Sequence, residues 1–117
     1  METKIPKDLD EALTVLRDMN DPKELTEWAA QSEDEATSDL HFSVGMALRN
    51  EWRLWHDDSV LAKWFKSKGI HHADDMSGIL LTSFYRRTNG KDIELEKQIK
   101  YYQNFWKTEG FKDGIPK

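Results

Sequence analysis

Large apolar side chains recur every three or four residues along most of this chain. From Leu40 to Trp55 the steps are four, four, four and three, through Val44, Leu48 and Trp52. Side chains at these intervals share one face of an α-helix, whereas a half-buried β-strand needs alternating apolar and polar residues. No such alternation continues beyond four or five residues. The pattern therefore predicts an all-α protein.

Local start and stop signals divide this pattern into helices. Asp21 and Pro22 mark a helix start, because an acceptor side chain before proline suits the first helical turn. Gly69 and Gly90 stand where left-handed backbone ends a helix. The acidic, polar stretch over 32–39 fits either a loop or a helix entry. We expect five or six helices with short connections, at about residues 7–19, 22–31, 40–55, 58–68, 73–87 and 92–108.

The length predicts a single compact domain. A chain of 117 residues can bury a core without crosslinks. Five Trp, five Phe and three Tyr would supply that core, since each large ring buries about 150–250 Å². Within the domain we expect acidic helices over 1–39, an aromatic-rich helical core over 40–110 and a loose tail over 111–117.

Two glycines fall inside predicted helices rather than at their ends. Gly45 costs up to ~1 kcal/mol relative to alanine, unless close packing requires it. Gly78 follows Ser77 in the helix over 73–87. This small pair would let a neighbouring helix approach closely.

The composition excludes several chemistries. The absence of cysteine removes disulfides, cysteine-ligated zinc, iron–sulfur clusters and a thiol nucleophile. The sequence has no H-E-x-x-H spacing, no G-x-S-x-G turn and no glycine-rich phosphate loop. We therefore expect no metal, no cofactor and no catalytic residue, and an enzyme is the less favoured class.

Hydropathy and the first residues predict a cytoplasmic protein without a membrane partner. The longest uncharged apolar run covers residues 77–85, whereas a membrane span needs about 20 residues. The first ten residues are polar and acidic rather than basic and then apolar. No signal peptide is therefore expected.

Charge is unevenly distributed along the chain. Residues 1–39 carry a net charge of −8 and residues 40–117 a net charge of +3. A net-acidic chain argues against duplex DNA, which requires a concentrated basic surface. The acidic part would either meet a basic partner or lie against the basic part of the same chain.

One turn is rich in histidine and aspartate, with His71, His72, Asp74 and Asp75 inside five residues. Adjacent histidines point apart, and the two aspartates lie about 100° apart on a helix, so neither pair converges on one ion. One interpretation is a recognition site. In the other, a histidine packs inward or caps the helix while the aspartates complement its positive end.

A second cluster combines arginine and tryptophan. Arg49 and Arg53 share one face of the third predicted helix, and Trp52 and Trp55 share another. Guanidinium groups beside aromatic rings are typical of interface anchors and anion sites. The same arginines would equally suit ion pairs with the acidic first third.

The chain also resembles a known family through three segments. They are Arg49-Asn50-x-Trp52-x-Leu54-Trp55, Gly69-Ile70-x-His72-x-Asp74-Asp75-Met76-Ser77 and Ile99-x-x-Tyr102-x-x-x-Trp106. With these segments the chain resembles a family of small uncharacterised proteins from bacteria and their phages, over about residues 40–107. The resemblance implies a bacterial or phage setting and no established activity. It directs attention to one shared site or one buried polar network. With Arg53 added, the candidate binding residues are Arg49, Asn50, Trp52, Arg53, His72, Asp74, Asp75 and Ser77.

The leading hypothesis is a non-enzymatic protein-interaction module, such as an inhibitor, an immunity-type protein or a phage accessory protein. An acidic surface would cover the basic face of a protein partner, with exposed aromatic rings as anchors. The sequence does not determine the oligomeric state. The residues expected to steer the encounter are Glu33, Asp34, Glu35 and Asp39.

The alternative hypothesis is a small-molecule or nucleotide-binding domain. It requires a polar cleft formed by Arg49, Asn50, Arg53, His72 and Asp75. A third, weaker hypothesis is a nucleic-acid-associated regulator acting through Arg86, Arg87 and Lys100.

Overall fold

The computed structural model describes residues 5–112 and 114–115, and these residues form seven α-helices and no β-strand. The expected all-α class is confirmed, but the expected number of five or six helices was too low. The helices are α1 (Leu9–Met19), α2 (Pro22–Ala29), α3 (Glu33–His41), α4 (Val44–Glu51), α5 (Val60–Ser67), α6 (Ala73–Thr88) and α7 (Leu95–Thr108).

Five helices begin at a side chain that accepts a hydrogen bond from a backbone N–H group of the first turn. These bonds satisfy donors that have no partner within the helix. The expected start at Asp21 and Pro22 is confirmed. The cap of α5 is Ser59, and the two aspartates before it, Asp57 and Asp58, form ion pairs. The capping residues are Asp8, Asp21, Ser32, Ser59 and His72.

The acidic stretch over 32–39 forms a helix of its own, which adds one element to the predicted set. Ser32 accepts from the backbone N–H of Glu35, and three acidic residues occupy the first turn of α3, where the helix dipole favours them. Ala36 is fully buried, so the face of α3 that carries it points toward the core. A short corner at Phe42 then separates α3 from α4.

The continuous helix predicted over 40–55 is therefore wrong, and it also ends earlier than expected. Trp52 and Leu54 are 1% and 2% exposed. Side chains two residues apart on a helix point to nearly opposite sides, so a continuing helix would leave one of them in water. The chain instead turns at Arg53, whose φ is 51°, and both side chains reach the core.

Helix α6 is the centre of the fold and contacts every other helix. Its apolar residues lie on several sides, and Met76, Ile79, Leu80 and Leu81 are at most 2% exposed. Complete burial of such a side chain contributes about 1.5–3 kcal/mol. The residues before and after this helix are thereby fixed relative to the rest of the chain.

The acidic first third lies against the basic part of the same chain. Arg86 on α6 donates from Nε and Nη2 to the carboxylate of Glu33 at 2.7 and 3.2 Å, and from Nη1 to the carbonyl oxygen of Ile93 at 2.7 Å. Arg87 donates to Asp10 at 2.8 Å. These two ion pairs attach α3 and α1 to α6.

The predicted tail is described only in part. Phe111 packs edge-on against Trp106, with ring centroids 5.5 Å apart, and its N–H donates to the Trp106 carbonyl oxygen at 3.0 Å. Gly110, just before it, has a φ of 102°. Residues 113, 116 and 117 lie outside the described residues.

Candidate functional site

His72 lies at the start of α6 between two tryptophan rings. Its Nδ1 accepts a hydrogen bond of 3.1 Å from the backbone N–H of Asp74 and so caps the helix. The imidazole stacks on Trp106, with centroids 5.7 Å apart, and meets the edge of Trp55 at 5.4 Å. Trp55, His72 and Trp106 form a surface that we call the tryptophan–histidine cluster.

Arg49 approaches the same end of α6 from α4. Its side chain is 6% exposed and forms an ion pair with Asp74, with Nε 3.3 Å from Oδ1. Its Nη1 donates to Ser77 Oγ at 2.7 Å, and that hydroxyl donates to the Asp74 carbonyl oxygen at 2.9 Å. The guanidinium group is thus held by α6 and is not open to an external anion.

The absence of a side chain at Gly45 makes room for this arginine. A Cβ atom built there would lie 3.2 Å from Arg49 Nη1, closer than ordinary van der Waals contact. A methyl group at position 45 would therefore require the arginine side chain to shift by a few tenths of an ångström.

Asp75 lies beneath the tryptophan–histidine cluster and is 8% exposed. Trp106 Nε1 donates to its Oδ2 at 2.7 Å. Burial raises the pKa of Asp75, while the hydrogen bond from Trp106 opposes that shift. The carboxyl therefore has one close donor and little solvent, which is an arrangement that favours its neutral form.

The structure joins five of the predicted site residues and separates three. Direct contacts join Arg49, His72, Asp74 and Ser77, and Asp75 joins them through Trp106, which stacks on His72. Trp52 is instead part of the hydrophobic core. Asn50 is exposed on α4, and Arg53 lies after that helix, where it binds Asp58 at 3.1 and 3.3 Å.

Two residues of the cluster were not identified as site residues by sequence reasoning. Trp106 is 31 positions from Asp75 and reaches it only because α7 packs along α6. Trp55 was expected to share a helix face with Trp52, yet it is 54% exposed whereas Trp52 is buried. The available signals were the repeated tryptophan of the first resemblance segment and Trp106 at the end of the third.

A second surface lies at the corner between α3 and α4. Phe42 is 77% exposed and Met46 50% exposed. Glu35 lies seven residues before Phe42, and Asp39 lies three residues before it. Neither carboxylate forms an ion pair within the described residues. We call these four residues, Glu35, Asp39, Phe42 and Met46, the Phe42 surface.

The described part of the chain contains neither a metal-ligand cluster nor a membrane-spanning helix. No group of three or more His, Asp and Glu side chains there is arranged to hold a metal ion. No helix in residues 5–112 is both long enough and apolar enough to cross a bilayer.

The described residues define an all-helical domain. The chain belongs to the family described as a domain of unknown function, DUF6794, whose family model matches residues 5–88. The match agrees with the resemblance to an uncharacterised family but not with its expected bounds, because it covers the acidic first third and leaves out the third resemblance segment over 99–106. Helix α7, with Trp106, lies beyond the matched residues. No curated protein and no solved structure matches the chain.

Proposed function

We propose that this protein is a non-enzymatic protein-interaction module that binds a basic partner through the Phe42 surface. Inhibitor, immunity-type and phage accessory proteins are the kinds of protein that act in this way, by covering a face of the partner. The observation that carries the proposal is the 77% exposure of Phe42 beside acidic side chains that have no cation of their own.

The apolar part of this surface would supply the anchor. A phenylalanine in water leaves a large apolar area that a partner pocket can bury, and anchors of this kind dominate interface energetics. Met46 follows Phe42 by four residues, across the corner between α3 and α4, and is half exposed. A flexible thioether side chain adapts to the shape of a partner surface.

The charged part would accelerate and orient the encounter. Of the four acids expected to steer a partner, Glu33 is bound by Arg86 and is therefore not available. Glu35 and Asp39 remain on the Phe42 surface. Because the chain has a net charge of −5, the surrounding field also favours a basic partner.

The alternative of an anion or nucleotide cleft receives no support from the geometry at the tryptophan–histidine cluster. Its central cation, Arg49, is neutralised by Asp74 and bound to Ser77. Two of the three basic residues of the third hypothesis are also engaged, since Arg86 binds Glu33 and Arg87 binds Asp10.

The test is partner capture from an extract of the native host, with bound proteins identified by mass spectrometry. We expect a protein that is retained at low salt and released as ionic strength rises through ~0.15 M, where the Debye length is ~8 Å. The same complex should lose about tenfold or more in affinity when Phe42→Ser removes the anchor.

Two matched variants separate this surface from general stickiness. Met19→Ser removes a side chain that is 68% exposed at the end of α1 and should leave capture unchanged. Glu35→Gln should slow association, whereas Glu27→Gln, the same charge change on α2, should slow it much less. Absence of any captured protein at low salt, or capture that is insensitive to Phe42→Ser, would overturn the proposal.

A further inference from the structure

A polar groove runs between α3 and α7 across the surface of α6. It consists of two adjoining cavities of about 520 and 160 Å³, which share Thr37, Thr82 and Tyr102 as lining residues. Small-molecule sites enclose about 300–1,000 Å³. The groove is thus large enough for a ligand of several rings or chains, and it is separate from the Phe42 surface.

The hydroxyl group of Tyr102 faces this groove without a partner. It lies against Gly78 of α6 and forms no hydrogen bond with any described residue. Burial raises the pKa of Tyr102 to about 12, so the hydroxyl keeps its proton throughout the physiological range. A sheltered hydroxyl that lacks a protein partner is satisfied by water or by a polar ligand group.

Further hydroxyl groups are also free to bind a ligand in the groove. Ser38 on α3 and Thr82 on α6 line it, and neither side chain hydrogen-bonds to a described residue. Hydroxyl groups both donate and accept, so three of them on three helices suit a ligand that does the same.

Two ion pairs neutralise four of the five Asp, Glu, Lys and Arg side chains that line the groove, and Asp34 forms no ion pair with any described residue. Glu33 is bound by Arg86, and Glu94 is bound by Lys97 at 2.9 Å. A strongly charged ligand would have to compete with these pairs. The ring of Tyr101, 68% exposed at the edge of the groove, adds an aromatic face against which the apolar side of a sugar ring can pack.

We propose that this groove binds a neutral, hydroxyl-rich small molecule of the saccharide class. Ligand hydroxyl groups exchange hydrogen bonds with Tyr102, Thr82 and Ser38, and one sugar ring stacks on Tyr101. This site is independent of the proposed protein interaction, because none of the four residues of the Phe42 surface lines the groove.

The test is a titration of the ¹⁵N-labelled protein with maltose and with di-N-acetylchitobiose, followed by amide chemical shifts. We expect saturable shifts confined to the groove-lining parts of α3, α6 and α7. Tyr102→Phe and Thr82→Val should each weaken the binding about 3- to 10-fold, as loss of one hydrogen bond does.

Thr14→Val is the matched control, since Thr14 is exposed on α1 and outside the groove; it should leave the binding unchanged. Circular dichroism confirms that each variant is folded. No shift with either saccharide at ~50 mM, where even millimolar binding is saturated, would overturn the proposal. The proposal would also be overturned by shifts outside the groove or by affinity that is insensitive to both groove variants. Binding of spermidine, a cation, in place of the saccharides would overturn it as well.

Discussion

Gly78 shows how a single missing side chain decides where α7 lies. The hydroxyl of Tyr102 occupies the space that a Cβ atom would take at this position. The small pair Ser77-Gly78 predicted a close helix approach, and that prediction is confirmed. The approaching residue was not predictable, because Tyr102 is 24 positions away and reaches Gly78 only through the packing of α7 on α6.

The effect of a methyl group at position 78 should depend on the residue at position 102. Gly78→Ala alone should lower the free energy of unfolding by about 1–2 kcal/mol, because overpacking outweighs the usual preference for alanine in a helix. In the Tyr102→Phe background the nearest ring atom would be 3.4 Å away. There the same change should raise the free energy of unfolding by about 0.5–1 kcal/mol. Urea denaturation of all four proteins measures both signs, and equal signs in the two backgrounds would contradict the packing.

Asp75 is a second residue whose surroundings make a definite prediction. Its folded-state pKa is raised above the ordinary value of 3.8 by burial, so the ionised carboxylate opposes folding. The neutral carboxyl group contributes stability that is fully present below pH 3.8, the ordinary pKa. This contribution is lost as the pH rises through the folded-state pKa. The ionised carboxylate therefore lowers the free energy of unfolding at neutral pH.

Asp75→Asn should therefore stabilise the protein at pH 7, because an amide oxygen still accepts from Trp106 and carries no charge. The advantage over the wild type should shrink as the pH falls and disappear near pH 3. Thermal unfolding across this range measures it. Asp74→Asn is the matched control with the opposite sign at pH 7, since Asp74 pairs with Arg49. A destabilised Asp75→Asn protein at pH 7 would refute the argument.

The candidate site could be predicted from the sequence only in part. The interpretation in which a histidine caps the helix agrees with the position of His72, since capping depends on local sequence. The pairing of Arg49 with Ser77 spans 28 positions and depends on the angle between α4 and α6. Sequence periodicity does not encode that angle.

At the scale of the elements, the helices with clear caps and stripes were predicted to within a few residues. The error over 40–55 arose because apolar spacing continued past the point where the backbone turns. Periodicity reports which residues are able to share a face, whereas the burial of both Trp52 and Leu54 required the helix to end. Tertiary packing thus overrode a regular local pattern.

The attachment of α3 to α6 makes a prediction at this scale. Glu33→Gln should lower the free energy of unfolding by about 1 kcal/mol, because it replaces a two-point, partly buried ion pair with Arg86. Glu35→Gln makes the same chemical change in the same first turn and should cost only a few tenths of a kcal/mol. Urea denaturation measures the free energy of unfolding of both variants. The difference between them is the contribution of the ion pair, because both substitutions remove the same charge from the first turn of the helix. Equal losses would show that the pair adds nothing.

For the whole molecule, the central prediction was a helical domain with an aromatic-rich interior, and the all-α fold class is confirmed. Trp52 and Phe65 are fully buried, whereas Trp55 lies at the surface with His72. The five tryptophans therefore do not form one population. Composition predicts how much aromatic area is available, but the turn after α4 decides which ring is left outside.

This division is measurable in solution through tryptophan fluorescence. Acrylamide, a neutral quencher, reaches a side chain in proportion to its exposure, so Trp55 at 54% should contribute most of the quenchable emission and Trp52 at 1% almost none. Trp55→Phe should therefore lower the Stern–Volmer slope markedly and leave a blue-shifted spectrum from buried rings. Trp28→Phe removes a half-buried tryptophan and should change the slope much less. If Trp55→Phe were quenched like the wild type, the chain would not turn after Glu51 as described, because a continued α4 would carry Trp55 on the same inward face as Trp52.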